Sequence, residues 1–300
     1  MSCIGRFAPS PTGELHLGNL RTALASWLGV RARGGRWLVR MEDVDAARCR
    51  STLGEAQLRD LGALGLDSDE PLLWQSERGD RYRAVLETLH QAGHLYPCAC
   101  SRKDLQALAS APHLEDGLRP YPGRCRGQGW EGFDRALRLR LPEGPVTWAD
   151  LVLGSQHDDP ATLTGDPLLF RRDGCFAYHL AVVVDDGDQG VSEVVRGGDL
   201  RAVTATQIRL QEALGLPRPA YAHLGMVVGP DGSRLGKRAG ALGVAALAAR
   251  GVGTAEVLGW LGWSLGCLAE PQPCQAAELV VAFRWDRVPA GELRVPLDWV

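Results

Sequence analysis

The chain has 300 residues, 45% of them hydrophobic and 23% charged, and its formal net charge at pH 7 is −3. This composition excludes a disordered, collagen-like or coiled-coil protein, and the length predicts two domains or one large domain with an insertion. Because the net charge is slightly negative, a nucleic-acid partner would require a local basic face.

The sequence has no pattern typical of membrane insertion or secretion. No stretch reaches the roughly 18 consecutive apolar residues of a membrane span, and the N-terminal segment lacks the basic and apolar regions of a signal peptide. Most of the eight cysteines are scattered along the chain, which is typical of reduced thiols rather than of a disulfide framework. We therefore expect a cytoplasmic protein without membrane association, and we expect it to be a monomer.

Strand and helix patterns alternate in the N-terminal third. Residues 3–8 predict a short strand, leucines at helical spacing predict a helix over residues 15–28, and residues 37–41 predict a second strand. Helical patterns follow at residues 52–66 and 79–92. This alternation is typical of a parallel sheet with crossover helices.

Residues 96–165 break the alternation, because they are rich in Pro, Gly and Arg and contain one alternating strand pattern at residues 136–141. We interpret them as an inserted module. The alternation returns with residues 176–184, whose continuous apolar run predicts a buried central strand. A helix is predicted over residues 202–214 and a further strand over residues 221–228.

We therefore predict an α/β fold with a parallel sheet, an inserted module and a small helical C-terminal subdomain. After Gly229 the sequence is Ala-rich and helical in pattern to about Leu268. The predicted segments are residues 1–95 for the first half of the sheet, 96–165 for the inserted module, 166–230 for the second half of the sheet, and 231–300 for a basic loop and the helical subdomain.

Two short motifs follow the first predicted strand, RFAPSPTG at residues 6–13 and HLGN at residues 16–19. A strand that leads through a Pro/Gly turn into a helix forms an anion site from free N–H groups and the positive end of the helix dipole. Gly18 lets an adenine or ribose approach the backbone, and His16 can donate a hydrogen bond to a phosphate. Either motif alone is weak evidence for such a site, since a lone surface histidine is usually only solvated. The two motifs at this spacing, directly after a first strand, are much stronger evidence.

A glycine-bracketed basic loop, DGSRLGKR, occupies residues 231–238. A mobile loop that carries Arg234, Lys237 and Arg238 can close on a polyphosphate. Lys237 and Lys103 are the chain's two lysines, and an ammonium is a compact point charge that arginine does not replace. The alternative interpretation is a solvated basic turn.

In this order, the two motifs and the basic loop resemble the catalytic domain of the class I aminoacyl-tRNA synthetases, in the glutamyl and glutaminyl branch. HLGN stands at the position of the HIGH motif and RLGKR at that of the KMSKS motif. Further matches follow at RMEDVD (residues 40–45), VDDG (184–187) and VRGGDL (195–200), so the resemblance covers essentially the whole chain. Gly236 and Arg234 depart from the Ser and the first Lys of the KMSKS pattern.

The resemblance implies a Rossmann-like catalytic domain and a two-step reaction. Glutamate attacks the α-phosphate of ATP to give glutamyl-adenylate and pyrophosphate, and a nucleic-acid hydroxyl then accepts the glutamyl group, with positioning and charge stabilisation supplying most of the rate. Magnesium is expected with ATP, whereas the adjacent Asp185 and Asp186 favour a structural or capping role over a magnesium site. The implied glutamate-binding residues are Arg6, Ala8, Ser10, Glu42, Tyr178 and Arg196. The implied ATP-binding residues are His16, Gly18, Asn19 and Lys237, and the implied catalytic residues are His16 and Lys237.

Within this implied set, Arg6 and Arg196 would hold the carboxylates of glutamate, because the planar guanidinium fork pairs with a carboxylate bidentately. Glu42 would pair with the substrate ammonium group and Tyr178 would donate or accept a hydrogen bond. For Glu42 and Arg196 taken without the motifs, a structural salt bridge is the alternative.

Three cysteines within 28 positions, Cys98, Cys100 and Cys125, favour a structural zinc site in the inserted module. They leave the fourth ligand open. His113 is the commoner ligand type, but the resemblance implies Tyr121, and the alternative to both is three reduced thiols without a metal. The basic residues near this module that could contact phosphates are Arg102, Lys103, Arg119, Arg124 and Arg126.

After the basic loop, residues 239–300 leave room for a helical subdomain, whereas full-length glutamyl and glutaminyl enzymes carry an anticodon-reading domain there. The chain therefore resembles the truncated paralogues of this branch, which attach glutamate to queuosine in the anticodon of tRNA(Asp). The implied partners are L-glutamate, ATP and tRNA(Asp) carrying queuosine. Two alternatives stay open: a minimal synthetase that charges the 3′ end of tRNA(Glu), and a non-catalytic RNA-binding paralogue.

Overall fold

A computed structural model of the chain describes residues 3–101, 104, 120–130, 132–233, 235 and 242–299. Several residues named above lie outside these ranges, namely Arg102, Lys103, His113, Arg119, Arg234, Gly236, Lys237 and Arg238. Within the described ranges, every helix is too short or too polar to cross a bilayer.

The strands and helices of the described residues alternate along much of the chain. The strands are β1 (Ile4–Phe7), β2 (Arg36–Met41), β3 (Leu73–Trp74), β4 (Leu95–Cys98), β5 (Ala136–Leu139), β6 (Val146–Asp150), β7 (Gly154–Asp158), β8 (Leu168–Phe170), β9 (Glu193–Gly197), β10 (Ala220–Leu224), β11 (Val227–Val228) and β12 (Leu293–Arg294). The α-helices are α1 (Leu17–Arg31), α2 (Ser51–Ala63), α3 (Gly79–Gln91), α4 (Pro160–Leu163), α5 (Tyr178–Asp188), α6 (Thr204–Ala213), α7 (Val244–Ala248), α8 (Thr254–Ser264) and α9 (Ala276–Leu279).

A seven-stranded sheet with the order β3-β2-β1-β9-β10-β6-β7 lies at the centre of the molecule. Its neighbouring strands run parallel except for the antiparallel hairpin of β6 and β7. Helix α1 packs on β1 and β9, and its inward-facing leucines are fully buried in the largest core. The prediction of an α/β fold with a mostly parallel sheet is confirmed.

The prediction of a strand over residues 176–184 is wrong, because this segment forms helix α5. Its residues Leu180, Val182 and Val184 are buried in a second core, which α5 shares with apolar residues of α3 and α6. A short, continuous apolar run has no periodicity that separates a helix buried on several sides from a buried strand. The correction matters for the site, because α5 carries both Tyr178 and Asp186.

The segment interpreted as an inserted module contributes to two sheets. Strands β4, β5 and β8 form a separate three-stranded antiparallel sheet. The hairpin β6–β7, which lies within residues 96–165, instead joins the edge of the seven-stranded sheet beside β10. Composition alone did not reveal this pairing, since it joins strands far apart in the sequence. The four-segment division stays a prediction.

The predicted strand over residues 221–228 is divided into β10 and β11 at Gly225. A Cβ at this position would lie 1.9 Å from the carbonyl oxygen of Gly291, so the C-terminal segment approaches the backbone closely here. That segment then pairs through β12 with β11 in parallel. The C-terminal residues thus pack against the chain segment that contains Gly225 and β11.

Candidate active site

A cavity of about 610 Å³ opens at the carboxyl ends of β1, β2, β9 and β10, beside the start of α1. Ligands of open α/β sheets bind at this edge. The cavity brings together every predicted glutamate- and ATP-binding residue that the structure describes. They are Arg6, Ala8, Ser10, His16, Gly18, Asn19, Glu42, Tyr178 and Arg196.

Arg6 is 4% exposed and is held by the carboxylate of Asp186 on α5. Its Nε donates to Asp186 Oδ1 at 3.0 Å and its Nη2 to Oδ2 at 3.3 Å, while Nη1 donates to the carbonyl oxygen of Val195 at 3.4 Å. A guanidinium has five N–H donors. Among the described residues, one donor on Nη1 and one on Nη2 therefore have no partner.

Arg40 connects this ion pair to Glu42. Its Nη2 lies 2.8 Å from Asp186 and 3.4 Å from Glu42, and its Nη1 donates to Gln189 at 2.8 Å. Burial raises the pKa of Glu42, and the positive charges of Arg40 and Arg6 offset this rise only in part. Arg6 and Arg40 thus lie among three carboxylates, Asp185, Asp186 and Glu42, of which Glu42 lines the cavity.

Arg196, on β9, is also 4% exposed, but its partners are neutral. Its Nε donates to His223 Nε2 at 3.0 Å, its Nη1 to Gln207 Oε1 at 2.6 Å and its Nη2 to Thr204 Oγ1 at 2.7 Å. No carboxylate of the described residues lies within ion-pairing distance of this guanidinium. As in Arg6, one donor on each terminal nitrogen is left, a pair that matches the two oxygens of a carboxylate.

The positive charge of Arg196 acts on the groups around it. Burial raises the pKa of the Tyr178 hydroxyl, and Arg196 opposes this rise. Burial and then Arg196 lower the pKa of His179 to about 4. Near neutral pH, Arg196 and the neutral phenol of Tyr178 therefore line the cavity, the imidazole of the neighbouring His179 is neutral, and Arg196 has no carboxylate partner among the described residues.

His16 is the N-cap of α1. Its Nδ1 accepts hydrogen bonds from the backbone N–H groups of Gly18 (3.1 Å) and Asn19 (3.3 Å), and the Asn19 side chain accepts from the His16 N–H at 3.1 Å. Burial lowers the pKa of His16, and the exposed Asp199 opposes this only in part. The ring is therefore neutral, with its proton on Nε2, and it occupies two of the N–H groups that the sequence offered to an anion.

Gly18 is required by the histidine cap itself. A Cβ at this position would lie 3.0 Å from His16 Cε1 and 3.1 Å from His16 Nδ1. A side chain here would push the imidazole away from the first turn of α1. The glycine thus keeps the cap in place in addition to leaving the cavity wall open.

The sulfur atoms of Cys98, Cys100 and Cys125 all lie within 4.8 Å of one another. The Tyr121 hydroxyl lies 3.5 Å from Cys98 Sγ and 3.7 Å from Cys100 Sγ, and it accepts a hydrogen bond from the Cys125 backbone N–H at 2.9 Å. Cys100 Sγ and Cys125 Sγ are 3.6 Å apart. Ligand atoms around tetrahedral zinc with Zn–S bonds of about 2.3 Å lie about 3.8 Å apart, so this donor set fits zinc.

Arg138 adds positive charge to the cysteine cluster. Its Nε lies 3.3 Å from Cys98 Sγ, and its guanidinium lies 3.7 Å from the centre of the Tyr121 ring. Arg138 belongs to none of the motifs described above, and it comes to lie beside Cys98 because β5 pairs with β4.

The basic residues of the inserted module divide into two groups. Arg124 is exposed, but Arg126 is used within the module, since it bonds the carboxylate of Asp166 at 2.9 and 3.0 Å. Trp130, which belongs to none of the motifs described above, is 36% exposed, and the guanidinium of Arg135 lies 4.6 Å from its ring centre. Exposed aromatic and arginine side chains are typical of surfaces that bind single-stranded nucleic acid.

Sequence reasoning missed the residues that hold the two cavity arginines. The structural role expected for Asp186 is confirmed, since it anchors both Arg6 and Arg40, but this residue lies on a helix and not at the end of the predicted strand. His223 and Thr204, which bond Arg196, were not named. Arg40 could have been found, because it lies near the end of β2 and two residues before Glu42, the spacing that places side chains on the same face of an extended chain.

Comparison with known proteins gives a consistent result. A sequence model of the catalytic domain of tRNA synthetases class I (E and Q) matches residues 3–289. A protein named Glutamyl-Q tRNA(Asp) synthetase from Symbiobacterium thermophilum is 44% identical over an alignment of 314 positions, which covers 99% of this chain and 97% of that protein. A protein of the same name from Geobacter sulfurreducens is 51% identical over 244 residues, covering 81% of this chain and 78% of that protein.

Among solved structures, the crystal structure of a glutamate-tRNA synthetase from Elizabethkingia anophelis is similar to this chain, with a TM-score of 0.86. The match covers 100% of this chain and 69% of that chain at 23% sequence identity. This likeness supports the fold, in which the sheet and the cavity at its edge have been described above.

Proposed function

Since the chain belongs to the class I tRNA synthetases of the glutamate and glutamine type (E and Q), we propose that it activates L-glutamate with ATP and magnesium and transfers the glutamyl group to queuosine in the anticodon of tRNA(Asp). The proteins named Glutamyl-Q tRNA(Asp) synthetase, which align over most or nearly all of this chain, support the choice of tRNA. The observation that carries the choice of amino acid is Arg196, a buried cation without a carboxylate partner among the described residues in the wall of the cavity.

In this proposal the two cavity arginines bind the two carboxylates of glutamate. Arg6 and Arg196 each retain one donor on Nη1 and one on Nη2, which is the arrangement for bidentate pairing with a carboxylate. Glu42 pairs with the substrate ammonium, and Tyr178 adds a hydrogen bond. Ala8 and Ser10 line the same cavity at the end of β1. Glutamine would leave one guanidinium facing a neutral amide, at a cost of roughly 1.5–3 kcal/mol.

We assign ATP to the part of the cavity beside the start of α1. His16 offers its Nε2–H to a phosphate, and Gly18 and Asn19 line the same wall. Lys237, outside the described residues, is proposed to contribute its ammonium group to the phosphates as the second catalytic residue. The protein's own part in the first step is therefore to orient the glutamate carboxylate against the α-phosphate and to stabilise the charge that develops there.

For the inserted module we propose one structural zinc ion held by Cys98, Cys100, Cys125 and Tyr121. The distances between the three sulfurs and the phenol oxygen support this ligand set. The ion would fix the module that contacts the RNA, with Arg124 as an exposed contact to phosphate. Among the basic residues predicted to contact RNA, Arg126 is committed to Asp166 and serves the fold of the module.

The activation half of the proposal is tested by glutamate-dependent exchange of pyrophosphate into ATP, measured with glutamate, glutamine or aspartate and with tRNA(Asp) present. We expect exchange with glutamate and at least roughly tenfold less with glutamine, from the loss of one charge-assisted hydrogen bond. Exchange with glutamine at an equal rate would contradict the assignment of the arginines. No exchange with any amino acid would leave only the RNA-binding alternative.

A further inference from the structure

A buried carboxylate and imidazole lie behind Arg196, and none of the substrate contacts proposed above uses them. Asp150 ends β6 and His223 lies on β10, and the side chains of both are fully buried. His223 Nδ1 lies 2.5 Å from Asp150 Oδ2, while Asp150 Oδ1 accepts the backbone N–H groups of Val152 (3.0 Å), Leu153 (2.9 Å) and His223 (3.3 Å). The backbone therefore fixes the carboxylate, and the carboxylate fixes one side of the ring.

The hydrogen bonds determine which nitrogen of His223 carries the proton. Burial alone would raise the pKa of Asp150, but hydrogen bonds from His223 and from two backbone amides hold it below its usual value. Burial lowers the pKa of His223. The ring is thus neutral and donates from Nδ1 to Asp150. Its Nε2 presents a lone pair, which accepts the Nε–H of Arg196 at 3.0 Å.

The register of the sheet produces this arrangement. Arg196 on β9 is the direct partner of His223 on the neighbouring parallel strand β10. Tyr221, two residues earlier on β10, is the partner of Asp150 on β6. Partner residues on adjacent strands point to the same face of a sheet, as do residues two apart on one strand. The three side chains therefore form a line across three successive strands.

A comparison of the two cavity arginines shows what the imidazole does. Arg6 is bonded directly to the carboxylate of Asp186, at 3.0 and 3.3 Å. For Arg196 the carboxylate of Asp150 is one side chain further away, and the neutral ring lies between them. The ring orients the guanidinium without pairing it with a negative charge.

We propose that Asp150 and His223 are positioning residues for the glutamate site. They hold the guanidinium of Arg196 so that its two remaining donors face a substrate carboxylate, and they keep its positive charge available to that carboxylate. This inference rests on the proposed role of Arg196 in binding glutamate. It concerns the affinity for the amino acid and leaves the ATP side of the cavity unchanged.

The most specific test moves the ring proton of His223 from Nδ1 to Nε2. In Asp150→Asn, the amide oxygen can keep the three backbone hydrogen bonds, and the NH₂ group of the new side chain then donates to His223 Nδ1. The ring must move its proton to Nε2, where it opposes the Nε–H of Arg196 at the 3.0 Å position. We expect the KM for glutamate to rise about tenfold or more from loss of this oriented contact, with the KM for ATP within about twofold of the wild-type value.

A pair of substitutions at His223 separates positioning from mere filling of the core. His223→Gln keeps an acceptor toward Arg196 and a donor toward Asp150, so we expect a near-wild-type KM for glutamate. His223→Leu fills the space but offers no acceptor, so we expect the same rise as in Asp150→Asn. His157→Leu, at an exposed histidine on β7, is the matched control and should change neither KM.

All variants are assayed as full-length protein by glutamate-dependent pyrophosphate exchange with tRNA(Asp) present. The proposal is supported if Asp150→Asn and His223→Leu raise the KM for glutamate alone and His223→Gln does not. It is overturned if the KM for glutamate stays at the wild-type value in both, if the KM for ATP rises equally, or if His223→Gln behaves as His223→Leu. Absence of exchange in the wild-type protein would overturn the proposed function itself, together with this inference.

Discussion

Three buried arginines at or beside the cavity differ in the groups that neutralise their positive charge. Arg6 and Arg40 share the carboxylate of Asp186, and Arg40 also contacts Glu42. Arg196 has polar but neutral partners. A buried charge without a counter-ion costs folding free energy. In the proposed function, the carboxylate of the bound amino acid supplies that counter-ion at Arg196.

Replacement of Arg196 tests this at the residue scale. In Arg196→Gln the side chain keeps polar contacts but loses the charge, and we expect kcat/KM for glutamate to fall by roughly 10- to 150-fold, the equivalent of about 1.5–3 kcal/mol. The KM for ATP should change little. Arg172→Gln, at an exposed arginine, is the matched control. An unchanged kcat/KM in Arg196→Gln would refute the assignment of this residue to glutamate.

The sequence identified the residues that line the cavity but not those that hold them. Arg6, Glu42, Tyr178 and Arg196 belong to short motifs with a recognisable order, and the structure brings them together. Their anchors are far away along the chain, since Arg6 and Asp186 are 180 positions apart. Such pairs are fixed by strand register and helix packing, which a local pattern does not specify.

At the scale of elements, helix α5 is the clearest case in which local pattern and packing differ. As a strand, residues 176–184 would alternate their side chains between two faces. As a helix, the segment buries its valines against α3. Helix α5 continues to Asp185, which accepts hydrogen bonds from Arg78 and Tyr82, and to Asp186, which accepts from Arg6. The helix thus joins the second core to the cavity. Only tertiary packing distinguishes the two interpretations.

The cysteine cluster of the inserted module is tested by removal of one ligand. Cys100→Ser removes one ligand of the proposed zinc ion, so we expect the zinc content to fall well below one ion per chain and the melting temperature to decrease. Cys175→Ser, at a half-buried cysteine outside the cluster, is the matched control. Elemental analysis and thermal unfolding measure both effects.

Tyr121→Phe tests the fourth ligand separately. The ring remains under Arg138, but the hydroxyl is lost, so we expect zinc to be retained more weakly and released at lower chelator concentration than in the wild-type protein. Equal resistance to the chelator in both proteins would exclude Tyr121 as a ligand. Unchanged zinc content in Cys100→Ser would contradict the site as a whole.

At the scale of the whole molecule, the C-terminal segment is part of the catalytic domain's structure. It returns to pair β12 with β11, and the backbone at Gly225 is in close contact with Gly291. Arg21 on α1 donates to the carbonyl oxygens of Gly225 (2.9 Å) and Ser264 (3.0 Å), which ties the first helix of the site to the C-terminal helices. The alternation of patterns predicted the parallel sheet, but it contained no signal for this return.

Gly225→Ala tests this closure. The added methyl group would lie 1.9 Å from the Gly291 carbonyl oxygen, so the C-terminal segment must shift, and we expect a loss of about 1–3 kcal/mol in the free energy of unfolding. Gly291→Ala is the matched control, because a Cβ there meets no atom within 4 Å. Denaturant unfolding of both variants gives the comparison, and equal stability would show that the close contact is unimportant.

Transfer of labelled glutamate, with ATP and magnesium, to three RNAs identifies the acceptor of the glutamyl group. These are tRNA(Asp) that contains queuosine, the same tRNA without queuosine, and tRNA(Glu). We predict labelling of the first RNA alone, with the label on the queuosine nucleoside after nuclease digestion. Labelling of tRNA(Glu), or of tRNA(Asp) that lacks queuosine, would contradict the account.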